Sequence, residues 1–241
     1  MVMKVIRPNC RIQFTPADYD FMGTVLSAPG RDFNRLLRLC EDPQDMDRIL
    51  DNPKLYQAVL ELKSCLSVSL HFYFYVLVRQ VLLREAVDSR EVADYVAEVL
   101  AEFSGPMRWR QPDPAAPPME YLYEMMASLE YADPEYRFTM LTHIGNYALF
   151  LSGIFPRRLA RRLERRAAPG FRFYEEMGSA HFRIAGGHYL AREMDLAPVL
   201  MDLGEAFHLA RLALNHLSER LVFLQTNRAV EDLFREIDAQ A

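Results

Sequence analysis

From residue 138 to residue 155 the chain runs for 18 residues without Asp, Glu, Lys or Arg, and at Pro156 that pattern stops. The surrounding stretch reads DPEYRFTMLTHIGNYALFLSGIF and then PRRLARRLERRAAPG. A segment with no polar face predicts a helix covered on every side. Asp133-Pro134-Glu135 supplies its start: a capping carboxylate, a proline in the first turn and an acid at the positive end. Pro156 closes it and opens a short helix of opposite character. At about 100° per residue, Arg157, Arg158, Arg161, Arg162, Arg165 and Arg166 fill one half of that helix, and Leu159, Ala160 and Leu163 the other. The spacing predicts a helix that docks by its leucines and turns its guanidinium groups outward.

The rest of the pattern predicts more helices. Thr15-Pro16-Ala17-Asp18, Asp42-Pro43 and Asn52-Pro53 are starts of the same cap-then-proline kind. Asp32 caps FNRLLRLC, and Ala28-Pro29-Gly30 ends the first helix near Ser27. Residues 66–83 alternate like a strand as far as Val76, yet the apolar run is too long for one. It reads as a buried helix interrupted near Ser67-Val68-Ser69. Arg79 within it predicts a carboxylate partner, because a buried guanidinium must be paired. Ser89 caps a helix whose apolar stripe is Val92, Tyr95, Val96, Val99, Leu100 and Phe103. Residues 104–118 hold five prolines and read as an extended connector, pinned to the core by Trp109. Helices over 119–131, 171–185 (stopped by Gly186-Gly187), 196–224 and 230–237 complete the set. The expectation is an all-α fold. One domain over 1–241, bundle-like or orthogonal, is built around buried helices at 70–84, 135–155 and 197–224, with subdomains 1–103 and 119–241 on either side of the connector.

Composition agrees with this pattern and narrows the function. The chain is 51% hydrophobic, has ten glycines and contains no Asn-Gly or Asp-Gly hairpin turn, which argues for a globular fold without sheets. Its net charge is −5, although residues 157–166 alone carry +5, so the remainder carries −10. A general nucleic-acid binder would be basic throughout. An anionic partner would therefore meet one local patch. Cys10, Cys40 and Cys65 have no CxxC spacing and predict reduced thiols in a cytoplasmic protein. MVMKVIRPNCRIQF has no apolar signal core. Residues 138–155 have nearly the length of a membrane span, with cations following. But Thr139, Thr142, His143, Asn146, Tyr147 and Ser152 lie inside them, and protein neighbours satisfy such groups better than lipid. No transmembrane span is expected.

LFLSGIFPRRL at 149–159 and FYEEMGSAHF at 173–182 resemble segments of uncharacterised all-helical bacterial proteins. The resemblance implies a bacterial, mostly helical domain and carries no activity or catalytic residue.

Three constellations could carry chemistry. The first is the basic helix. Its six arginines either meet internal acids such as Glu120, Glu124 or Glu130, or present a docking face for phosphate or carboxylate groups. The second is Glu205-Ala-Phe-His208, the Glu-x-x-His spacing of di-iron bundles, mirrored in reverse order by His216-Leu-Ser-Glu219. His208 and His216 are about 12 Å apart along a helix and cannot share a metal, so a solvated polar face fits them better. The third is an internal polar pocket onto which His71, His143, Asn146, Glu176 and His181 would converge; buried histidines with satisfied partners explain the same residues.

Two function classes follow. The first is a non-enzymatic cytoplasmic interaction or regulatory protein, compatible with a homodimer, whose basic helix docks an anionic partner. An acidic protein surface leads, with nucleic acid and anionic lipid headgroups behind it, and no cofactor is required. The alternative is a helical-bundle enzyme or small-ligand binder with an internal His/Glu site, using iron or another transition metal.

Overall fold

A computed structural model describes residues 5–26, 38–40, 42–62, 67–104, 122–166 and 170–221. The Asp32 cap, residues 105–121 with Trp109, Cys65 and the helix expected at 230–237 lie outside the described residues. Within them the fold is all-α. A 3-10 turn at Arg11–Gln13 precedes α1 (Pro16–Leu26), α2 (Pro43–Leu50), α3 (Pro53–Leu60), α4 (Leu70–Arg84), α5 (Arg90–Phe103) and α6 (Leu122–Ala127). Then come α7 (Pro134–Ile154), α8 (Pro156–Arg166), α9 (Phe171–Gly186), α10 (Tyr189–Glu193), α11 (Ala197–Glu205) and α12 (Phe207–Ser218). The starts follow from capping chemistry. Asp42 accepts from the Gln44 and Asp45 amides, Asn52 from Lys54, Ser69 from Phe72, Ser89 from Val92 and Asp133 from Tyr136.

The core forms around α7. Every residue from Phe138 to Phe155 is buried, and α5, α6, α8, α9, α10 and α12 all pack against this helix. Its hydroxyls are met by its own backbone: Thr139 Oγ1 donates to Glu135 O at 2.9 Å, Thr142 Oγ1 to Thr139 O at 2.8 Å and Ser152 Oγ to Ala148 O at 2.6 Å. Side chains that bond back into their own helix can be buried without a polar pocket. No described helix is long and apolar enough to cross a membrane. Close approach demands small residues here. A Cβ at Gly145 would lie 2.7 Å from the Phe182 ring of α9. Helix α12 packs on both α7 and α4, and α5 on α4, α7 and α11, so helices from either side of the connector share contacts.

The first half is tied together by charge. Arg79 is 1% exposed and, as its burial required, is paired. Its Nε and Nη2 reach the two oxygens of Asp51 at 2.9 and 3.2 Å, and Asp88 Oδ1 lies 2.5 Å from Nη2. Arg90 also bridges Asp51 (2.7 Å) and Asp47 (3.0 Å), and Arg11 bridges Asp47 (3.1 Å) to Asp94. Burial acts to raise the Asp51 carboxyl, but hydrogen bonds from Arg79 and Arg90 outweigh it and hold it below its ordinary value. Asp94 behaves oppositely. Burial pushes it up, against the pull of the Arg11 backbone N–H (2.9 Å) and guanidinium, while Glu98 adds a like charge one turn away.

The two shifts give opposite pH dependences. The Asp51 contribution is present above the unfolded carboxylate range near pH 4 and is lost as pH falls through the lower folded value. Asp94 holds its proton more tightly when folded, so it costs stability progressively as pH rises above about 4. Asp94→Asn keeps an acceptor for the Arg11 amide. Its stability relative to the parent should improve as pH rises from about 4 and level off once the folded carboxyl has ionised, read in urea titrations; a difference independent of pH would refute this.

Two departures from the sequence expectation have physical causes. The helix expected over 196–224 is two helices, broken at Ala206. In an unbroken helix Gly204 O would accept from the His208 amide. Here it accepts from Ser179 Oγ of α9 at 2.6 Å, so a tertiary contact takes the carbonyl. Helix α10 was not anticipated because its cap is His188, whose Nδ1 accepts from the Leu190 amide at 3.3 Å. Helix α4 ends in a Schellman turn, with Val87 N–H donating to Leu82 O at 2.9 Å, that places Ala86 at φ 60°. A side chain in that region is strained, so Ala86→Gly should stabilise the protein by about 0.5–1 kcal/mol, read as a higher urea midpoint.

Candidate functional site: the α7–α8 junction

Pro156 lacks the N–H that Ser152 O would otherwise receive, so α7 ends with unpaired carbonyls. Asn215 of α12 supplies the donors: its Nδ2 reaches Ser152 O at 2.8 Å and Gly153 O at 2.7 Å. Asn215 is itself held by Arg211, whose Nη1 donates to Asn215 Oδ1 at 2.7 Å. Arg211 also donates from Nε to Glu175 at 2.5 Å and covers the Phe171 ring, with its guanidinium carbon 5.1 Å from the ring centroid. Glu175 lies below its ordinary carboxylate range, because bonds from His208 and Arg211 outweigh its burial. Removing Asn215 orphans the two carbonyls that fix where α8 departs. Asn215→Ala should cost about 2 kcal/mol and speed amide exchange in the first turn of α8; unchanged exchange there would disprove the clamp.

Helix α8 leaves this clamp and seats itself through Leu159, which is buried. Leu163, expected to dock as well, is 47% exposed, because the helix packs chiefly on the end of α7 and has moved off the core one turn later. Arg157 is exposed and pairs with Glu219, the residue that ends α12. Arg158 lies over the Phe155 ring at 5.9 Å. Arg161 is exposed and forms no ion pair among the described residues. The side chains of Arg162, Arg165 and Arg166 lie outside the described residues, although their backbone is helical. The acid beside Arg157 is Glu219, while Glu120 and three of the arginine side chains that Glu120, Glu124 or Glu130 were expected to meet lie outside the described residues. A cleft of about 320 Å³ opens at the junction, lined by residues 154–158 together with Ser218 and Glu219. A cleft of this volume was not legible in the sequence, since Ser218 and Glu219 arrive from a helix about 60 residues later.

The expected internal pocket does not assemble as a unit. His71 faces Glu98, 3.5 Å away on α5. Glu176 is at the surface, paired with Arg172 one turn earlier at 2.7 Å. His181 turns its Nδ1 to Met177 O of its own helix at 2.8 Å, and burial pushes its pKa down, keeping it neutral. His143 is set beside the Phe103 and Tyr147 rings, and Asn146 beside Tyr95, whose phenol is pushed up by burial. Periodicity placed His143 and Asn146 correctly on one line of α7. It could not show that Glu176 points away from that line.

Glu205 and His208 fall on opposite sides of the break at Ala206, so the Glu-x-x-His register does not lie on one helix. His208 instead meets Glu175 at 2.8 Å, and His216 meets Glu85 at 3.0 Å, both on the surface. Among the described residues no group of three His, Cys, Asp or Glu side chains could hold a metal ion. Cys10 and Cys40 form no disulfide, and burial, with Glu98 and Asp94 nearby, pushes the Cys10 thiol far above its ordinary value. Comparison of the chain with protein-family models, curated proteins and solved structures finds no match.

Proposed function

We propose that this is a cytoplasmic interaction or regulatory protein whose helix α8 docks an acidic protein surface. The observation that carries the reading is how α8 is seated: Leu159 reaches the core, while Arg157 and Arg161 face solvent on a helix of six arginines and one glutamate. Six like charges on one short helix repel each other. A chain with acid to spare sets Glu219 beside Arg157 and leaves Arg161 without an internal partner among the described residues. A carboxylate-bearing surface relieves that repulsion and suits the planar guanidinium fork. The seating by α7, Asn215 and Leu159 holds the helix in place before a partner arrives, so little order has to be imposed on binding.

The test uses the full chain and immobilised poly-glutamate. Retention at low salt should fall by about tenfold or more in Arg161→Glu with Arg165→Glu, and should weaken as salt rises. The urea midpoint should stay within experimental error, because Arg161 is exposed and Arg165 follows it by about one turn of the same helix. Equal retention of variant and parent would refute the reading. Preferential retention on phosphatidylserine vesicles or an oligonucleotide would replace the acidic protein with those partners.

A further inference from the structure

A surface of the chemistry that α8 suits lies on this chain itself. Residues 122–136 carry Glu124, Glu130, Asp133 and Glu135 with no Lys or Arg, a local −4, whereas residues 156–166 carry six Arg and one Glu, a local +5. Glu130 and Glu135 are exposed and form no ion pair among the described residues, as Arg161 forms none. Tyr131 stands between them in the chain and is 91% exposed. The acidic turn leads directly into α7 and α8 follows directly from it, so the two patches attach at opposite ends of a 21-residue helix, about 30 Å apart. We infer that the acidic surface docked by α8 is the α6–α7 turn of a second copy of this chain. The inference rests on the docking reading above and names its partner.

Both surfaces are held before they meet. Asp133 accepts from the Tyr136 amide at 2.8 Å, and Arg137 Nη1 donates to Leu129 O at 3.0 Å, which ties the turn to the start of α7. At the other end Leu159 seats α8 on the core. Little order is therefore lost on contact. The glutamates offer carboxylates to the guanidinium forks. The Tyr131 ring adds a flat face on which a guanidinium stacks or Leu163, 47% exposed, packs. Two copies each carry −5, but salt at physiological strength screens that repulsion beyond about 8 Å and leaves opposed patches in contact attractive. Each copy brings one basic helix and one acidic turn. Assembly then closes as a ring, the smallest being a dimer with the contact made twice, or grows as a chain.

Sedimentation velocity on the full chain tests this. At about 0.1 M salt the mean mass of the parent should rise with concentration, and at about 1 M salt it should return to the monomer. Arg161→Glu with Arg165→Glu, and separately Glu130→Gln with Glu135→Gln, should each weaken self-association by about tenfold or more while still unfolding cooperatively in urea. Mixed together, the two variants should form a 1:1 pair that grows no further, because one copy keeps the basic helix and the other the acidic turn. A parent that stays monomeric at every concentration, association that survives in either variant, or a mixture that stays monomeric would overturn the inference. Retention of the parent on immobilised poly-glutamate would then leave the docking reading standing, with a different acidic protein as partner. Loss of that retention as well would remove both.

Discussion

Asp51→Ala should lower the unfolding free energy by about 3 kcal/mol, the cost of leaving a buried charge without its partner. Arg79 is 1% exposed and loses a bidentate carboxylate, and Arg90 loses the same one. Asp88 does not compensate. Its side chain is 79% exposed, and it reaches Arg79 from one side only. The backbone carbonyl of Asp51, which accepts from Gln80 at 2.7 Å, is unaffected, so the loss isolates the carboxylate. A chain of this size should show a melting temperature lower by about 6–12 °C. Two controls give the prediction its meaning. Asp88→Ala should cost much less, because its main-chain oxygen still accepts from Arg79 at 3.0 Å. Asp51→Leu combined with Arg79→Met should recover much of the loss, since a matched apolar pair removes the stranded charge. Equal costs for Asp51→Ala and Asp88→Ala would show that Arg79 does not depend on Asp51.

Gly178→Ala should also be strongly destabilising, although alanine is the better helix former. Replacing glycine inside a helix normally gains about 1 kcal/mol. At Gly178 of α9 a Cβ would fall inside the contact radius of Phe207 Cε2 and Cζ, and 3.1 Å from Ala148 Cβ on α7. The Phe207 ring is 1% exposed and packs beside Phe182 at 6.1 Å, so it has no room to turn. Overpacking of a closed core costs about 1–3 kcal/mol, and at this overlap the clash outweighs the propensity gain. Adding Phe207→Leu should return part of the stability of Gly178→Ala, which a double-mutant cycle reads as coupling. Strictly additive effects would place the damage elsewhere.

Much of this fold is legible in the sequence because the features that start helices are local. Asp42, Asn52, Ser89 and Asp133 cap their helices because each sits where a short polar side chain can reach the amides two or three residues ahead. The stripe from Val92 to Phe103 is buried as its periodicity implies. Arg79 announced a carboxylate by its burial alone, but only the fold could supply Asp51 and Asp88. What sequence missed was decided at a distance. The break at Ala206 depends on a hydroxyl from α9, and the turn at Ala86 proceeds without the glycine that usually marks such a site. The basic helix was visible as six arginines. That Leu163 would come away from the core, and that Glu219 would stand against Arg157, could not be read from spacing.

The enclosure of α7 has a consequence for how the protein must be made. Most of what covers residues 138–155 comes later in the chain: α8, α9 and α12 emerge from the ribosome only after α7 is complete. Until residue 218 has been synthesised, the nascent chain carries an apolar segment that α5 and α6 alone cannot envelop. Such a segment is prone to self-association. A translation pause between α7 and α12 would prolong that interval, and chaperone engagement should be concentrated there.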